Sequence, residues 1–258
     1  MYRFMELKVL GCSGGVGGQL RTTTLLLDED IIIDAGTGLG DLNLQAMSCI
    51  RHIFLTHSHL DHITSIPFLV DTMFDNIKEP IIIHGLAETI DALKKHIFNN
   101  VIWPDFSRLP NSKNPVMKYQ VMGVGEIVEI NNRKLEMIAV NHIVPGVGYR
   151  VESETGTFAF SGDSTTNDTF WAGLNKYDTL DLLIVESAFA NKDIEICHLS
   201  GHYCAELLGP DLVKLKLKPD VYITHNKPGA EGLIFGECQE AIKTHTIHPL
   251  SSGQSFTI

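Results

Sequence analysis

The chain of 258 residues is 44% hydrophobic and 20% charged, so it can bury a substantial core as an ordinary globular protein. Its formal net charge of −11 argues against broad electrostatic binding to nucleic acid or to an anionic membrane. No apolar run approaches the roughly 18 residues of a membrane span, and five cysteines without a Cys-x-x-Cys pair favour a reducing cytoplasm over a secreted disulfide framework.

The N-terminal part of the chain predicts short strands joined by tight turns. Residues 7–10 form the first predicted strand, and residues 22–27 and 31–34 form a hairpin. The glycine-rich segment 11–18 lacks the Gly-Lys-Ser/Thr ending of a phosphate-binding loop. A sharp turn between strands is therefore favoured there over a ligand cradle.

The densest group of potential metal ligands follows a predicted strand at 53–55. Three imidazoles and one carboxylate fall within six residues, and they belong to His57, His59, Asp61 and His62. Imidazole suits zinc, iron and related divalent ions, and a carboxylate adds a hard anionic ligand. Four donors so close together cannot comfortably serve one tetrahedral ion, so the pattern predicts two ions, with the first two donors on one and the last two on the other. The alternative is a polar loop that is rich in histidine by chance.

The segment after these ligands alternates between predicted helices and a strand. Helices are predicted at 63–73, broken or started at the proline, and at 88–99, with a short apolar strand at 81–83 between them. Residues 101–115 are rich in Trp, Pro, Asn and Ser and predict a long loop. The stretch 101–118 is either a lid over the site or a packed surface loop.

The second half of the chain continues the pattern of short strands and turns, with two helical stretches. Strands are predicted at 127–130, 135–140, 147–151, 158–160, 182–185 and 221–224. The sequence contains no repeat, low-complexity segment or linker-like change of composition. We therefore expect residues 1–258 to form a single α/β domain in which two stacked β-layers are flanked by helices.

Three more candidate ligands each follow an apolar predicted strand, as His57 does. They are His142, Asp163 and His225. Each of them alone would more often be a surface or hydrogen-bonded residue. A feature shared by four strand ends is much harder to attribute to chance.

The full ligand pattern, in this order and spacing, resembles the metallo-β-lactamase superfamily over essentially the whole chain. The resemblance implies an αββα sandwich with a dinuclear metal site at the edge of the β-layers. The implied ligands of the first ion are His57, His59 and His142. Those of the second ion are Asp61, His62 and His225, with Asp163 bridging the two ions. The expected cofactors are two zinc ions, and manganese or iron would suit the same ligands.

Two residues narrow the choice among the branches of the superfamily. The chain has Asp163 where the exported lactamases usually carry cysteine, and His59 where flavin-partnered di-iron oxidoreductases generally carry glutamate. Residues 57–63 and 224–228 resemble the class II 3′,5′-cyclic-nucleotide phosphodiesterases, whereas 161–164 resemble the tRNase Z-like enzymes. No long tRNA-binding arm is identifiable in the sequence.

The resemblance therefore implies an enzyme that hydrolyses cyclic AMP or cyclic GMP to the 5′-nucleotide. Processing of tRNA 3′ ends is the alternative, and a non-hydrolytic di-iron module that binds oxygen is a third interpretation. The expected partner is a small cyclic nucleotide, with no membrane and no nucleic acid other than tRNA in the alternative. Assembly into a homodimer stays open.

The chemistry expected of a two-metal phosphodiesterase assigns catalytic roles to Asp61, Asp163 and His198. Asp163 would orient the attacking hydroxide, and His198, placed just before an apparent helix N-cap at Ser200, would protonate the leaving oxygen. Glu186 is a candidate to orient His198. The alternative is that His198 makes only a structural hydrogen bond at a helix start.

The remaining candidate residues have weaker support. A structural zinc site formed by Cys197, His198, His202 and Cys204 is disfavoured because adjacent cysteine and histidine ligands are geometrically poor. Lys227 is as well explained by a solvated loop as by a contact to phosphate. The histidines without an expected role are His52, His84, His96, His202, His245 and His248.

Overall fold

The computed structural model describes residues 4–258, and its strands within that range form two seven-stranded sheets. In spatial order, the first sheet contains β14 (Ser255–Thr257), β1 (Glu6–Gly11), β2 (Thr24–Leu27), β3 (Ile31–Ile33), β4 (His52–Phe54), β5 (Ile81–Gly85) and β6 (Met117–Val121). The second sheet contains β13 (Ile247–Pro249), β12 (Asp220–Thr224), β11 (Leu182–Glu186), β10 (Thr157–Phe160), β9 (Val147–Glu152), β8 (Arg133–Ala139) and β7 (Ile127–Ile130).

The helices are short and connect the strands. They are α1 (Leu44–Met47), α2 (Leu60–Ile63), α3 (Ile66–Met73), α4 (Ala87–Ala92), α5 (Thr169–Leu174), α6 (Ile194–Ser200), α7 (Ala205–Leu212) and α8 (Glu231–Ala241). Helix α4 continues as a π-helical turn over Leu93–Ile97. Within residues 4–258, no helix has the length and apolar character needed to cross a membrane.

Three layers of buried side chains hold the sheets and helices together. The middle layer, which includes Phe54 and Tyr149, lies between the sheets. A second packs the other face of the first sheet against α2 and α3, and a third packs the other face of the second sheet against α5, α7 and α8. The predicted αββα sandwich is therefore confirmed.

The direction of the strands explains why ligands gather at one edge. Strands β3 to β6 run parallel in the first sheet, and β10 to β13 run parallel in the second. Strand β8 is antiparallel to β9, which is antiparallel to β10, so β8 and β10 point the same way. The residues that follow β3, β4, β8, β10, β11 and β12 consequently meet at one edge of the sandwich.

The predicted helix at 63–73 is divided into α2 and α3 by a contact with another part of the chain. The amide of Ala35 donates to the carbonyl of His62 at 2.7 Å, and the carbonyl of Ala35 accepts from the amide of Ser65 at 2.9 Å. These bonds take backbone groups that a continuous helix would use. Pro67 lies in the first turn of α3, where its missing amide proton costs nothing.

Several predicted elements differ from the structure. The helix predicted at 88–99 ends at Ile97, including its π-helical turn, and the second half of the described chain contains four helices rather than two.

The loop predicted at 101–115 ends just before β6, and it is anchored by Phe106, which is 3% exposed. Trp103 in the same loop packs edge-on against Phe68, with ring centroids 5.4 Å apart.

Candidate metal centre

All seven predicted ligands meet at the edge of the sandwich where these strands end. The first group contains His57, His59, His142 and Asp163. The second contains Asp61, His62, Asp163 and His225. Within each group the potential ligand atoms lie within 4.8 Å of one another, and Asp163 belongs to both groups. This arrangement matches the pairing that the resemblance implies.

A single carboxylate oxygen lies at the centre of the cluster. Asp163 Oδ2 is 3.3 Å from Nε2 of His62, 3.3 Å from Nε2 of His225 and 3.6 Å from Nε2 of His57. All four residues are at most 3% exposed, whereas the side chain of Asp61 is 32% exposed. The second group is therefore open to solvent on the Asp61 side.

The cluster has the unpaired atoms expected of a metal site. Nε2 of His57 and Nε2 of His62 are buried and have no hydrogen-bond partner among residues 4–258. Buried polar atoms usually have a partner, so two such nitrogens at one carboxylate indicate a missing ligand. Histidine nitrogens and carboxylate oxygens suit zinc, manganese and iron. The residues present therefore fit a pair of divalent ions.

Burial and neighbouring charges shift the pKa values of two histidines of the cluster in opposite directions. Burial holds the pKa of His57 well below its usual value. Burial acts in the same direction on His62, but the neighbouring carboxylates of Asp163 and Asp34 outweigh it and raise the pKa of His62 well above the usual value. Because a proton and a divalent cation compete for the same Nε2 lone pair, a cation bound there would replace that proton.

Asp34, which the sequence analysis did not select, holds the histidine segment in place. Its completely buried carboxylate accepts hydrogen bonds from the amide of Thr56 at 2.8 Å and from the Thr56 hydroxyl at 2.7 Å. It also lies 2.7 Å from Nδ1 of His62. When Nδ1 donates its proton to Asp34, the lone pair of Nε2 faces Asp163 and is free for a metal.

The loop between α6 and α7 orients His142. Nδ1 of His142 lies 2.8 Å from the carbonyl oxygen of Gly201, which fixes its proton there and leaves Nε2 directed towards His59. Gly201 has φ of 68°, and an added Cβ would come within 2.8 Å of the amide nitrogen of Ile143. Only glycine fits this approach.

The glycine-rich segment supports His225. A Cβ added to Gly14 would lie 2.4 Å from the carbonyl oxygen of His225 and 3.0 Å from its Nδ1. The amide of Gly14 donates to the carbonyl of Asn226 at 3.0 Å, and Nζ of Lys227 donates to the carbonyl of Gly14 at 3.0 Å. The segment is a turn packed against a candidate ligand, and Lys227 ties the two loops together.

His202 was assigned no role in the sequence analysis, yet the structure places it beside the cluster. Its ring centroid is 5.1 Å from that of His142 and 5.3 Å from that of His225. Nδ1 of His202 is 2.7 Å from Oε1 of Glu186, a fully buried carboxylate at the end of β11. Burial opposes protonation, but Glu186 raises the pKa of His202 overall.

The structure places His198 away from these contacts. It is an exposed residue in the last turn of α6, which ends at Ser200. The hydroxyl of Ser200 donates to the carbonyl of Ile196 at 2.6 Å, as expected inside a helix. The predicted N-cap at Ser200 is therefore wrong, and Glu186 orients His202 rather than His198.

Comparison with known proteins places this site in context. Residues 44–147, less than half of the chain, match the family of class-II cAMP phosphodiesterases. A probable 3′,5′-cyclic-nucleotide phosphodiesterase of Yersinia pestis is 28% identical over 221 residues, covering 74% of this chain and 63% of that protein. A ribonuclease Z of Methanosarcina mazei is 32% identical over 151 residues, covering 52% of this chain and 45% of that protein. The chain thus spans less than two thirds of the length of these relatives.

The fold is similar to that of a solved structure over the full length of both chains. The crystal structure of unliganded yeast PDE1 aligns with a TM-score of 0.80 at 19% sequence identity, covering 100% of each chain. At this level of identity the similarity establishes a common fold. It leaves the substrate to be inferred from the site.

Proposed function

We propose that this chain belongs to the phosphodiesterase and tRNase Z-like branch of the metallo-β-lactamase superfamily and is a metal-dependent phosphodiester hydrolase. The observation that carries the proposal is the position of the Asp163 carboxylate. Its buried carboxylate is shared by two complete groups of histidine and carboxylate ligands. A carboxylate in this position suits a pair of ions bound side by side, which is the arrangement that enzymes use for phosphoryl transfer.

The residues around the cluster would position the ions and the attacking water. Two divalent ions, when bound, would supply positive charge for the phosphate oxygens and make water a better nucleophile. Asp163, which belongs to both ligand groups, would hold the two groups next to each other. Asp61, the most exposed carboxylate of the cluster, lies where the cluster is open to solvent and would face the incoming water and substrate.

His202 is our candidate proton donor, in place of His198. Its Nδ1 is held by Glu186, so the second ring nitrogen is available to protonate the departing ribose oxygen. The His202 ring lies beside the rings of His142 and His225, one from each ligand group. An alkoxide leaves poorly at neutral pH, and a positioned acid contributes about 10²–10⁴-fold to such a step.

We further propose 3′,5′-cyclic nucleotides, such as cyclic AMP, as the substrates. The match to the class-II cAMP phosphodiesterases and the similarity to the Yersinia pestis protein support this choice. The net charge of −11 counts against an extended contact with tRNA phosphates. Processing of tRNA 3′ ends is nevertheless the second candidate, because a ribonuclease Z is 32% identical over 151 residues.

A substrate screen with metal analysis tests the proposal. Purified protein supplied with zinc or manganese should hydrolyse cyclic AMP or cyclic GMP and the simple diester bis(p-nitrophenyl) phosphate, while leaving precursor tRNA intact. The Asp163→Ala variant should lose both bound metal and activity. Cleavage of precursor tRNA without hydrolysis of cyclic nucleotides would move the chain to the second candidate. Tight binding of two ions without cleavage of any phosphodiester would overturn the enzyme proposal.

A further inference from the structure

A cavity of about 550 Å³ lies at the same edge of the sandwich as the metal centre. Its walls come from the loop after β1, the start of α8 and the residues after β13, which runs parallel to β12. Two lining residues are direct neighbours of the cluster. Asn226 follows His225 in the chain, and Ser13 precedes Gly14, which packs against His225. The cavity therefore begins one residue from a ligand of the second ion.

The lining suits a flat, neutral and partly polar molecule. Leu20, Phe235 and Leu250 supply apolar surface, and the volume falls within the range of about 300–1,000 Å³ that is usual for small-molecule sites. None of the lining residues of the cavity is a lysine or arginine, and Glu231 contributes a carboxylate. A phosphate group would be repelled there, so the cavity fits an uncharged part of a ligand.

An unpaired polar atom also points to a ligand. Ser13 is only 7% exposed, and its buried hydroxyl oxygen has no hydrogen-bond partner within the described chain. A buried hydroxyl without a partner costs free energy that a bound ligand would recover. Ser13 lines the cavity, so rotation about its Cα–Cβ bond would present this hydroxyl to a bound molecule.

We propose that this cavity binds the nucleobase of the substrate while the metal centre holds its phosphate. This inference rests on the proposed phosphodiesterase function and adds to it a site that recognises the base. A nucleobase has apolar faces that stack on aromatic rings such as Phe235, and a polar edge that can pair with the hydroxyl of Ser13 or the carboxylate of Glu231.

Two glycines on α8 provide a matched pair of variants. Beyond its chain neighbours and the backbone of its own helix, an added Cβ would meet nothing within 4 Å at either Gly232 or Gly236, so both sites accept a larger side chain without a clash. Gly232 lines the cavity, whereas Gly236, one helical turn later, does not. Gly232→Leu should fill the cavity, and Gly236→Leu controls for the effect of leucine on the helix.

Comparison of two substrates, one with and one without a nucleobase, measures the contribution of the base to binding. Gly232→Leu should raise the KM for cyclic AMP by about tenfold, since base stacking on an aromatic ring contributes about 5- to 150-fold to binding. The same variant should hydrolyse trimethylene phosphate, a six-membered cyclic diester with neither a nucleobase nor an aromatic ring, at the rate of the unmodified protein. Gly236→Leu should change neither rate. Phe235→Ala should weaken cyclic AMP binding in the same way as Gly232→Leu.

Binding of adenosine provides a second readout that needs neither phosphate nor metal. Calorimetric titration of metal-free protein with adenosine should give saturable binding that Gly232→Leu abolishes and Gly236→Leu retains. An unchanged KM for cyclic AMP in Gly232→Leu, or an equal loss on both diesters, would overturn the inference. Failure of the unmodified protein to cleave any diester would instead remove the proposed function, and the adenosine titration would still decide whether the cavity binds a base.

Discussion

Two buried histidine–carboxylate pairs, one at the edge of each sheet, differ in what the second ring nitrogen of the histidine faces. In the first pair, after β3, Nδ1 of His62 lies 2.7 Å from Asp34, and its Nε2 lies 3.3 Å from Asp163. In the second pair, at the end of β11, Nδ1 of His202 lies 2.7 Å from Glu186, but its ring stands beside those of His142 and His225. The bond to the carboxylate is the same in length and in the atom used.

The comparison shows that one bonding pattern can serve two tasks. A carboxylate on Nδ1 fixes the tautomer and the orientation of an imidazole wherever it occurs. The position of the other nitrogen then determines the role. His62 belongs to one of the two groups that we propose hold the ions, whereas His202 joins only a third group with Asp163 and Glu186. We therefore expect the first pair to control metal binding and the second to control proton transfer.

The largest expected effect comes from removing the imidazole of the second pair. His202→Ala should lower kcat for cyclic nucleotides by about 10²–10⁴-fold, because the leaving oxygen loses its proton donor. Metal content, measured by atomic emission on the purified protein, should stay at that of the unmodified chain. A diester with an acidic leaving group, such as bis(p-nitrophenyl) phosphate, should be much less affected because its phenolate leaves without protonation.

His198→Ala is the matched control for this variant. His198 is exposed on α6, only four residues earlier in the chain, so its loss should change kcat little. A large decrease for His198→Ala with normal activity for His202→Ala would reverse our assignment. Loss of metal from His202→Ala would mean that the two histidine–carboxylate pairs do not differ in task.

An intermediate effect is expected from the carboxylate of the first pair. Asp34→Asn should weaken metal binding by about 10–100-fold, because the amide is a poorer partner for the Nδ1 proton of His62. Competition with a chelator of known affinity would measure this change. Activity should return when excess metal is added, provided that the variant remains folded by circular dichroism. Unchanged metal affinity would show that Asp34 only supports the backbone at Thr56.

The gathering of the seven candidate ligands in one cluster could be predicted from the sequence because each one follows an apolar strand or lies in one short segment. Strands that run parallel bring their carboxyl ends together, so local patterns were sufficient to place His142, Asp163 and His225 near the histidine segment. The αββα sandwich could be predicted mainly from the resemblance that these residues carry.

The residues that the sequence analysis missed depend on contacts between distant parts of the chain. Asp34 precedes His62 by 28 positions, and Gly201 follows His142 by 59, so neither hydrogen bond has a local signal. The predicted N-cap at Ser200 is wrong because this residue ends a helix, and the structure places His202 rather than His198 beside the two candidate ligand groups. Glu186, which ends β11 as a buried carboxylate, was the available indication that a partner lay nearby.

The smallest expected effect is that of Glu186→Gln, and it bears most directly on the difference between the two pairs. The amide oxygen of glutamine can still accept the Nδ1 proton of His202, but the carboxylate charge that favours its imidazolium is lost, so kcat should fall by about tenfold. Metal affinity should be unchanged, in contrast to Asp34→Asn, and the same chelator competition would establish this. Glu186 also accepts hydrogen bonds from the backbone amides of Ser164 and Tyr203. The thermal unfolding of the variant must therefore first be compared with that of the unmodified protein. If Glu186→Gln released metal as readily as Asp34→Asn, the two pairs would share one task and His202 would be a metal ligand.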